Sequence, residues 1–94
     1  SLKEKRGVLN SIKQRLRNRF NLSVAEVGGQ DTWQRAVLGL TAGGSELGVV
    51  RSVLERAVDF VEALHLAEVV NSEVEFVTLP QEEVLGTLPW GEED

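Results

Sequence analysis

Residues 21–44, with the sequence NLSVAEVGGQDTWQRAVLGLTAGG, predict a β-hairpin against which the rest of the chain packs. Leu22–Val27 is alternating and β-branched, as strands are, and the glycine pair at 28–29 ends it. Residues 30–32 supply a polar turn, and Trp33–Thr41 resumes the strand pattern. We therefore expect this hairpin to be the centre of the fold.

The returning strand has two different faces, because side chains alternate along a strand. The small apolar face is the better core candidate and consists of Ala36, Leu38 and Leu40. The turn and the opposite face form a candidate interface made of Gln30, Asp31, Trp33 and Arg35. A tryptophan and an arginine on an open sheet face suit base stacking or peptide binding. A structural role, in which Asp31 shapes the turn and Trp33 covers the sheet or a dimer contact, is the favoured alternative.

A helix is expected before the hairpin, from the first residue to about Arg19. Ser1 followed by Glu4 is a capping-box pattern, which is typical of a helix N-terminus. The apolar residues recur at helical spacing and fall on one face, namely Leu2, Val8, Leu9, Ile12 and Leu16. We expect this helix to pack through that face.

Basic residues are concentrated in this helix. Residues 1–19 hold seven of the ten basic residues and one acid, whereas residues 68–94 hold eight acids and no base. Projected at about 100° per residue, one flank of the apolar face carries a basic stripe made of Lys3, Arg6, Lys13 and Arg17. Cations near a helix N-terminus cost about 0.3–1 kcal/mol each, so a chain that accepts several of them suggests a use for the charge.

A helix N-terminus also offers free backbone N–H groups and a positive dipole end, which suit an anion. The candidate anion or nucleic-acid contacts are Lys3, Lys5, Arg6, Lys13 and Arg17. An equally supported alternative is that these side chains are solvated and paired with the acidic C-terminal third of the chain.

A second helix is predicted after the hairpin, with Ser45 as its N-cap. Its broad apolar face consists of Leu47, Val50, Leu54, Ala57, Val58, Val61 and Leu64. Glu73–Leu79 alternates again, which predicts a last strand. Residues 80–94 are acidic, with scattered glycine and proline, and indicate an irregular tail. The expected organisation is a single domain over residues 1–79 followed by the tail.

The order helix, strand, strand, helix, strand predicts an α+β fold of the ferredoxin-like α/β sandwich type. Two helices would pack on one face of an antiparallel sheet whose first strand is absent from this sequence. That strand would lie in the middle of the sheet, and without it two neighbouring strands have unpaired edges. We expect a preceding segment, the tail or a second chain to fill the position.

Composition limits the classes of function. With no cysteine among its 94 residues, the chain forms no disulfide and has no disulfide-linked partner, which fits a reducing compartment. No apolar run approaches the ~20 residues of a membrane helix, and no leader pattern is visible. We expect a cytoplasmic protein without a membrane partner. The net charge of −5 argues against a general nucleic-acid coat, although it allows a local basic footprint.

Candidates for catalysis are weak. The single histidine, His65, falls at the end of the second predicted helix, where a packing role is expected. Glu73 and Glu75 point the same way on one predicted strand, which is better explained as a solvated face. Gly39 and Gly44-Ser45 have the spacing of a phosphate loop but lack its lysine. We predict no catalytic residue, no metal site and no cofactor.

Three stretches resemble a known family: SLKEKR at 1–6, RNRFNLSVAEVG at 17–28 and QDTWQRA at 30–36. They are similar to the YlxP-like family, small bacterial proteins classed as a domain of unknown function, over residues 1 to about 79. The resemblance implies a ferredoxin-like sandwich with an antiparallel sheet and an initial strand that this sequence lacks. It implies no activity, and a gene setting near translation and ribosome-maturation factors is an association only.

These observations favour a non-catalytic binding module that presents its basic helix to an anionic partner such as RNA or a ribosomal particle. The alternative is a protein-interaction or homodimerisation module that uses its open sheet face. An enzyme or small-molecule sensor has the weakest support, because no catalytic constellation is present.

Overall fold

The computed structural model describes residues 1–79 and shows an α+β arrangement of two helices and a two-stranded antiparallel sheet. Along the chain the elements are α1 (Leu2–Arg19), β1 (Ser23–Gly28), β2 (Val37–Thr41) and α2 (Leu47–Leu64). The predicted tail at 80–94 lies outside the described residues.

Helix α1 has the predicted start and end. The Ser1 hydroxyl accepts a hydrogen bond from the backbone N–H of Glu4, and the Glu4 side chain bonds back to the cap residue. This reciprocal capping box satisfies backbone N–H groups that a helix N-terminus otherwise leaves free. At the other end, Phe20 leaves the helix with extended backbone while its N–H still bonds to Leu16.

The core lies between α1, the inner face of the hairpin and the second half of α2. Its buried residues are Leu9, Ile12, Leu16, Val24 and Ala57. Leu38 and Leu40 pack against this cluster, which confirms two of the three residues predicted for the core face of the returning strand. Phe20 and Phe60 close one side of it with an edge-to-face contact, their ring centroids 5.6 Å apart. The small Ala57 lets the two helices approach closely.

The hairpin pairs Ser23 with Thr41 and Ala25 with Gly39, and a β-bulge between Glu26 and Gly28 interrupts the register. Strand β2 begins at Val37, so the prediction that it begins at Trp33 is wrong, and Ala36 is exposed and outside the strand. The cause is a tertiary contact. Residues 29–36 form a loop, and Lys5 of α1 donates hydrogen bonds to two of its carbonyl groups. The predicted polar turn at 30–32 is part of this longer loop.

The outer edge of β1 is covered by side chains. The Val24 carbonyl accepts a hydrogen bond from Arg17 Nη2 at 2.9 Å, and the Glu26 carbonyl accepts one from Gln30 Nε2 at 3.4 Å. Residues two apart in a strand point the same way, so both carbonyls lie on one edge, the one away from β2. Side-chain donors of this kind protect an edge from pairing with another chain.

The predicted last strand, Glu73–Leu79, is wrong. Residues 66–79 contain no strand, and the ring of Phe76 lies 4.8 Å from the guanidinium of Arg51 on α2. This cation–π contact places the segment beside α2. Among residues 1–79 no third strand pairs with the sheet, so the ladder hydrogen bonds that an extended segment needs are not made.

The ends of α2 differ in part from the prediction. Its N-cap is Glu46, which has extended backbone and makes no side-chain capping bond, so the prediction of Ser45 is wrong. The helix ends at His65, whose positive φ of 55° gives the left-handed turn that terminates many helices. Leu47 is 55% exposed, so residues 1–79 leave this part of the first turn of α2 largely uncovered.

Candidate functional site

Lys5 connects α1 to the loop between the strands. Its ammonium donates hydrogen bonds to the carbonyls of Gly29 and Thr32, the latter at 2.6 Å. The same ammonium lies 3.5 Å from the Glu26 carboxylate, and the two side chains are only 9% and 21% exposed. Three acceptors therefore surround one cation in a nearly buried position, which offsets the cost of removing the charge from water.

This arrangement gives Lys5 a structural role. The sequence predicts Lys5 as an anion contact. In the structure its ammonium instead contacts the loop carbonyls and the Glu26 carboxylate of the same chain. A signal was available, since Lys5 precedes Leu9 by four residues and Ile12 by seven, which is the spacing of the buried face of α1. Glu26 likewise follows the buried Val24 by two residues, so the two side chains share the inner face of β1.

The loop is also constrained by Gly29. This residue has a φ of 77°, and a Cβ atom there would lie 2.9 Å from the Arg35 carbonyl oxygen. Its own carbonyl accepts a hydrogen bond from the Thr32 N–H at 3.1 Å as well as the bond from Lys5. Glycine suits this backbone angle and this close approach, so residue 29 constrains the start of the loop.

The basic stripe lies on one flank of α1, and its last member, Arg17, reaches the outer edge of β1 through a hydrogen bond to the Val24 carbonyl. Lys3, Arg6 and Arg17 are exposed, and Lys13 is half-buried. Within residues 1–79 the ion pairs are those of the Ser1 ammonium with Glu4 and of Lys5 with Glu26. In that part of the chain the stripe has no carboxylate partner.

A small groove lies beside the stripe, between the first turns of α1 and the loop. It has a volume of ≈ 230 Å³, and Arg6 lies on its helix side while Gln30 and Asp31 lie on its loop side. Leu2 and Leu9 line it as well. The groove brings together the segment SLKEKR of residues 1–6 and the segment QDTWQRA of residues 30–36, which are far apart along the chain.

The predicted interface residues all belong to the loop that Lys5 holds. Trp33 is 59% exposed, and Gln30, Asp31 and Arg35 are exposed too. Gln30 is partly engaged through its bond to the Glu26 carbonyl. The structure thus brings Lys5 and Arg6 of the first candidate set next to Gln30 and Asp31 of the second, and Lys5 bonds to Thr32, the residue before Trp33.

The extreme N-terminus of α1 is a weaker anion site than the sequence indicated. The Glu4 N–H is taken by the Ser1 hydroxyl at 3.3 Å, and the Glu4 carboxylate lies beside the Ser1 ammonium. Hydrogen bonding and charge attraction from that ammonium, with a further hydrogen bond from the Ser1 hydroxyl, hold the pKa of Glu4 below its usual value of 4.5. A carboxylate already occupies the place where a bound anion would lie.

Two other classes of site have no support in the described part of the chain. Residues 1–79 contain no cluster of three histidine, cysteine, aspartate or glutamate side chains that could hold a metal ion. Neither α1 nor α2 combines the length and apolar character of a membrane-spanning helix.

Comparison with known proteins agrees with the resemblance seen in the sequence. The family model for proteins of unknown function called DUF503 matches residues 1–74. The chain is 44% identical over 63 residues to the uncharacterized protein YlxP of Bacillus subtilis (strain 168). The aligned stretch covers 67% of this chain and 68% of that protein. No solved structure matches the chain. Because the family match spans most of the chain and the relative covers two thirds of it, the chain belongs to the YlxP-like, DUF503 family of proteins of unknown function.

Proposed function

We propose that the protein is a non-catalytic binding module that presents the basic stripe of α1 to RNA, either free or within a ribosomal particle. The observation that carries this proposal is a contrast between cations of the same helix. Lys5, which is nearly buried, is paired with Glu26, whereas the stripe has no carboxylate within 4.0 Å among residues 1–79. Among residues 1–79, a carboxylate is paired with the nearly buried Lys5 and none is paired with this flank of α1.

The charge pattern of the whole chain also favours a local footprint. The net charge is −5, so the protein as a whole repels nucleic acid, and attraction is limited to the flank where α1 concentrates cations. A straight helix face with cations at positions 3, 6, 13 and 17 can follow a phosphate backbone. Contacts of this kind position a partner without reading its sequence.

Chemical-shift mapping tests the proposal directly. Titration of the isotope-labelled chain with RNA is expected to shift amide signals of Lys3, Arg6 and Lys13 more than those of α2. The same titration at high salt is expected to remove these shifts, because released counterions drive such binding. Shifts confined to α2, or no salt-sensitive shift at all, would contradict the proposal.

A second candidate function is self-association through the outer face of the hairpin. Val27 at the end of β1 is 61% exposed, and Val37 at the start of β2 is 54% exposed. An apolar face of this kind can be covered by its own copy across a two-fold axis. Light scattering over a concentration series is expected to show a dimer that Val27→Glu disrupts; a monomer at every concentration would count against it.

We also propose that the described elements are part of a ferredoxin-like sandwich in a cytoplasmic protein. The order α1, β1, β2, α2, the antiparallel pairing and the packing of the helices against each other support this fold. An experimental structure with a sheet of only two strands would contradict it. The absence of cysteine supports the compartment, which cell fractionation tests.

A further inference from the structure

We propose that Trp33 is a stacking surface for an unpaired base of the RNA that the basic stripe binds, so the partner is single-stranded where it meets this loop. This inference rests on the proposed function and adds to it the class of RNA and the residue that selects it.

The exposure of Trp33 is built into the fold. Tryptophan is the largest apolar side chain available for a core, yet Trp33 is 59% exposed. The loop that holds it is constrained at both ends of the Gly29-to-Thr32 segment, by the two Lys5 hydrogen bonds and by the glycine-specific backbone of Gly29. Trp33 follows directly after this constrained segment, which lowers the conformational entropy lost when its ring binds a ligand.

The backbone next to Trp33 is in direct contact with the first turns of α1. Thr32, the neighbour of Trp33, bonds to Lys5, and Arg6 follows Lys5 on the stripe side of the helix. Arg6 and Asp31 also line one groove of ≈ 230 Å³. A nucleotide can therefore stack its base on the Trp33 ring while its phosphates reach the cations of the first two turns of α1.

The acids near the loop favour a base over a phosphate at this position. Glu26 is compensated by Lys5 at 3.5 Å, but Asp31 has no cation partner among residues 1–79. A carboxylate repels phosphate and accepts hydrogen bonds from base amino groups. Of the two charged residues that lie two positions from Trp33, Asp31 can accept hydrogen bonds from a base and Arg35 can donate them, while the cations along α1 are left for the phosphates.

A duplex cannot satisfy this arrangement. Its bases are stacked on one another, and their faces are not available to an aromatic side chain, whereas unpaired bases stack readily on tryptophan. The stripe alone binds either form through phosphates. Trp33 should therefore discriminate between single-stranded and duplex RNA of equal length.

The test uses intrinsic tryptophan fluorescence of the full chain. Trp90→Phe makes Trp33 the sole tryptophan, and this variant is titrated with single-stranded RNA of about 12 nucleotides, with the matching duplex and with heparin, a polyanion without bases. Quenching is expected with the single strand only. Trp33→Ala is expected to weaken single-strand binding about 5- to 100-fold and to leave duplex and heparin binding unchanged, while Trp33→Phe retains most of the affinity.

The outcomes separate the inference from the proposed function. Salt-sensitive binding of all three probes that Trp33→Ala does not change would overturn the inference and leave the proposed function standing. Equal weakening of all three by Trp33→Ala, with Trp33→Phe equally weak, would show a structural role and also overturn it. No salt-sensitive binding of any probe would overturn the proposed function and the inference with it.

Discussion

The ammonium of Lys5 lies 3.5 Å from the carboxylate of Glu26, joining α1 to β1 across the inner side of the hairpin. Through its bonds to the carbonyls of Gly29 and Thr32, the same ammonium fixes the loop that carries Trp33. One residue of α1 thereby ties the basic stripe and the exposed tryptophan into a single unit. The stability of that unit and the binding of RNA to its surface can be tested in separate experiments.

Lys5→Met should destabilise the fold. The substitution keeps most of the aliphatic length but removes two hydrogen bonds from a charged donor and leaves Glu26, which is 21% exposed, without its partner. We expect the free energy of unfolding to fall by about 2–4 kcal/mol in urea denaturation.

The matched control is Lys3→Met, because Lys3 is an exposed cation of the same helix. It should change the free energy of unfolding by less than about 0.5 kcal/mol. If the two variants are equally stable, Lys5 does not hold the loop.

Two glycines should respond to alanine in opposite directions. At Gly29, with a φ of 77°, a Cβ atom would lie 2.9 Å from a backbone oxygen, so Gly29→Ala should cost about 1–3 kcal/mol. At Gly7, in the interior of α1, nothing lies within 4 Å of the added atom, and Gly7→Ala should stabilise the protein by about 0.5–1 kcal/mol. Thermal denaturation measures both, and a loss of stability from Gly7→Ala would mean that this face of α1 is covered.

The cap of α1 should weaken in acid. The neighbouring ammonium and hydroxyl of Ser1 lower the pKa of Glu4 below 4.5, so its stabilising contribution is present above that pH and is lost as the pH falls through the lowered pKa. An NMR titration of the Glu4 carboxyl should show a midpoint below 4.5, and Glu4→Gln should abolish this part of the pH dependence. A midpoint at or above the usual value would show that the capping box does not form in solution.

Local patterns predicted much of this fold. The capping box of Ser1 and Glu4, the end of α1 at Arg19 and the core face of Leu38 and Leu40 follow from residues close together in the chain. Such features depend on spacing and on backbone groups that any helix or hairpin must satisfy. These features could therefore be predicted without knowledge of the tertiary structure.

The errors share a cause in long-range contacts. Trp33–Ala36 has a strand-like pattern but belongs to a loop, because Lys5, 24 residues before Gly29, holds that loop. Glu73–Leu79 also alternates like a strand, yet it pairs with neither strand of the sheet among residues 1–79. Strand propensity reflects the surface that a segment meets more than the segment itself.

The sequence predicted which residues make up the candidate site. It did not predict that one of them, Lys5, has a structural role. The stripe of Lys3, Arg6, Lys13 and Arg17 was visible from helical projection. The different role of Lys5 was not recognised, since charged residues are rarely placed on a buried face. The proximity of the stripe to the Trp33 loop also depends on how α1 and the hairpin pack, which no local pattern contains.

The most direct test of RNA binding by the stripe is the salt dependence of affinity in two variants of equal charge. Lys3→Gln with Arg6→Gln removes two stripe cations, while Arg15→Gln with Arg56→Gln removes two exposed cations outside it. For single-stranded RNA, the slope of log affinity against log salt should become shallower by about 1–1.5 in the stripe variant and remain unchanged in the other. Equal slopes for both variants and the unmodified chain, or no salt dependence in any of them, would contradict binding by the stripe.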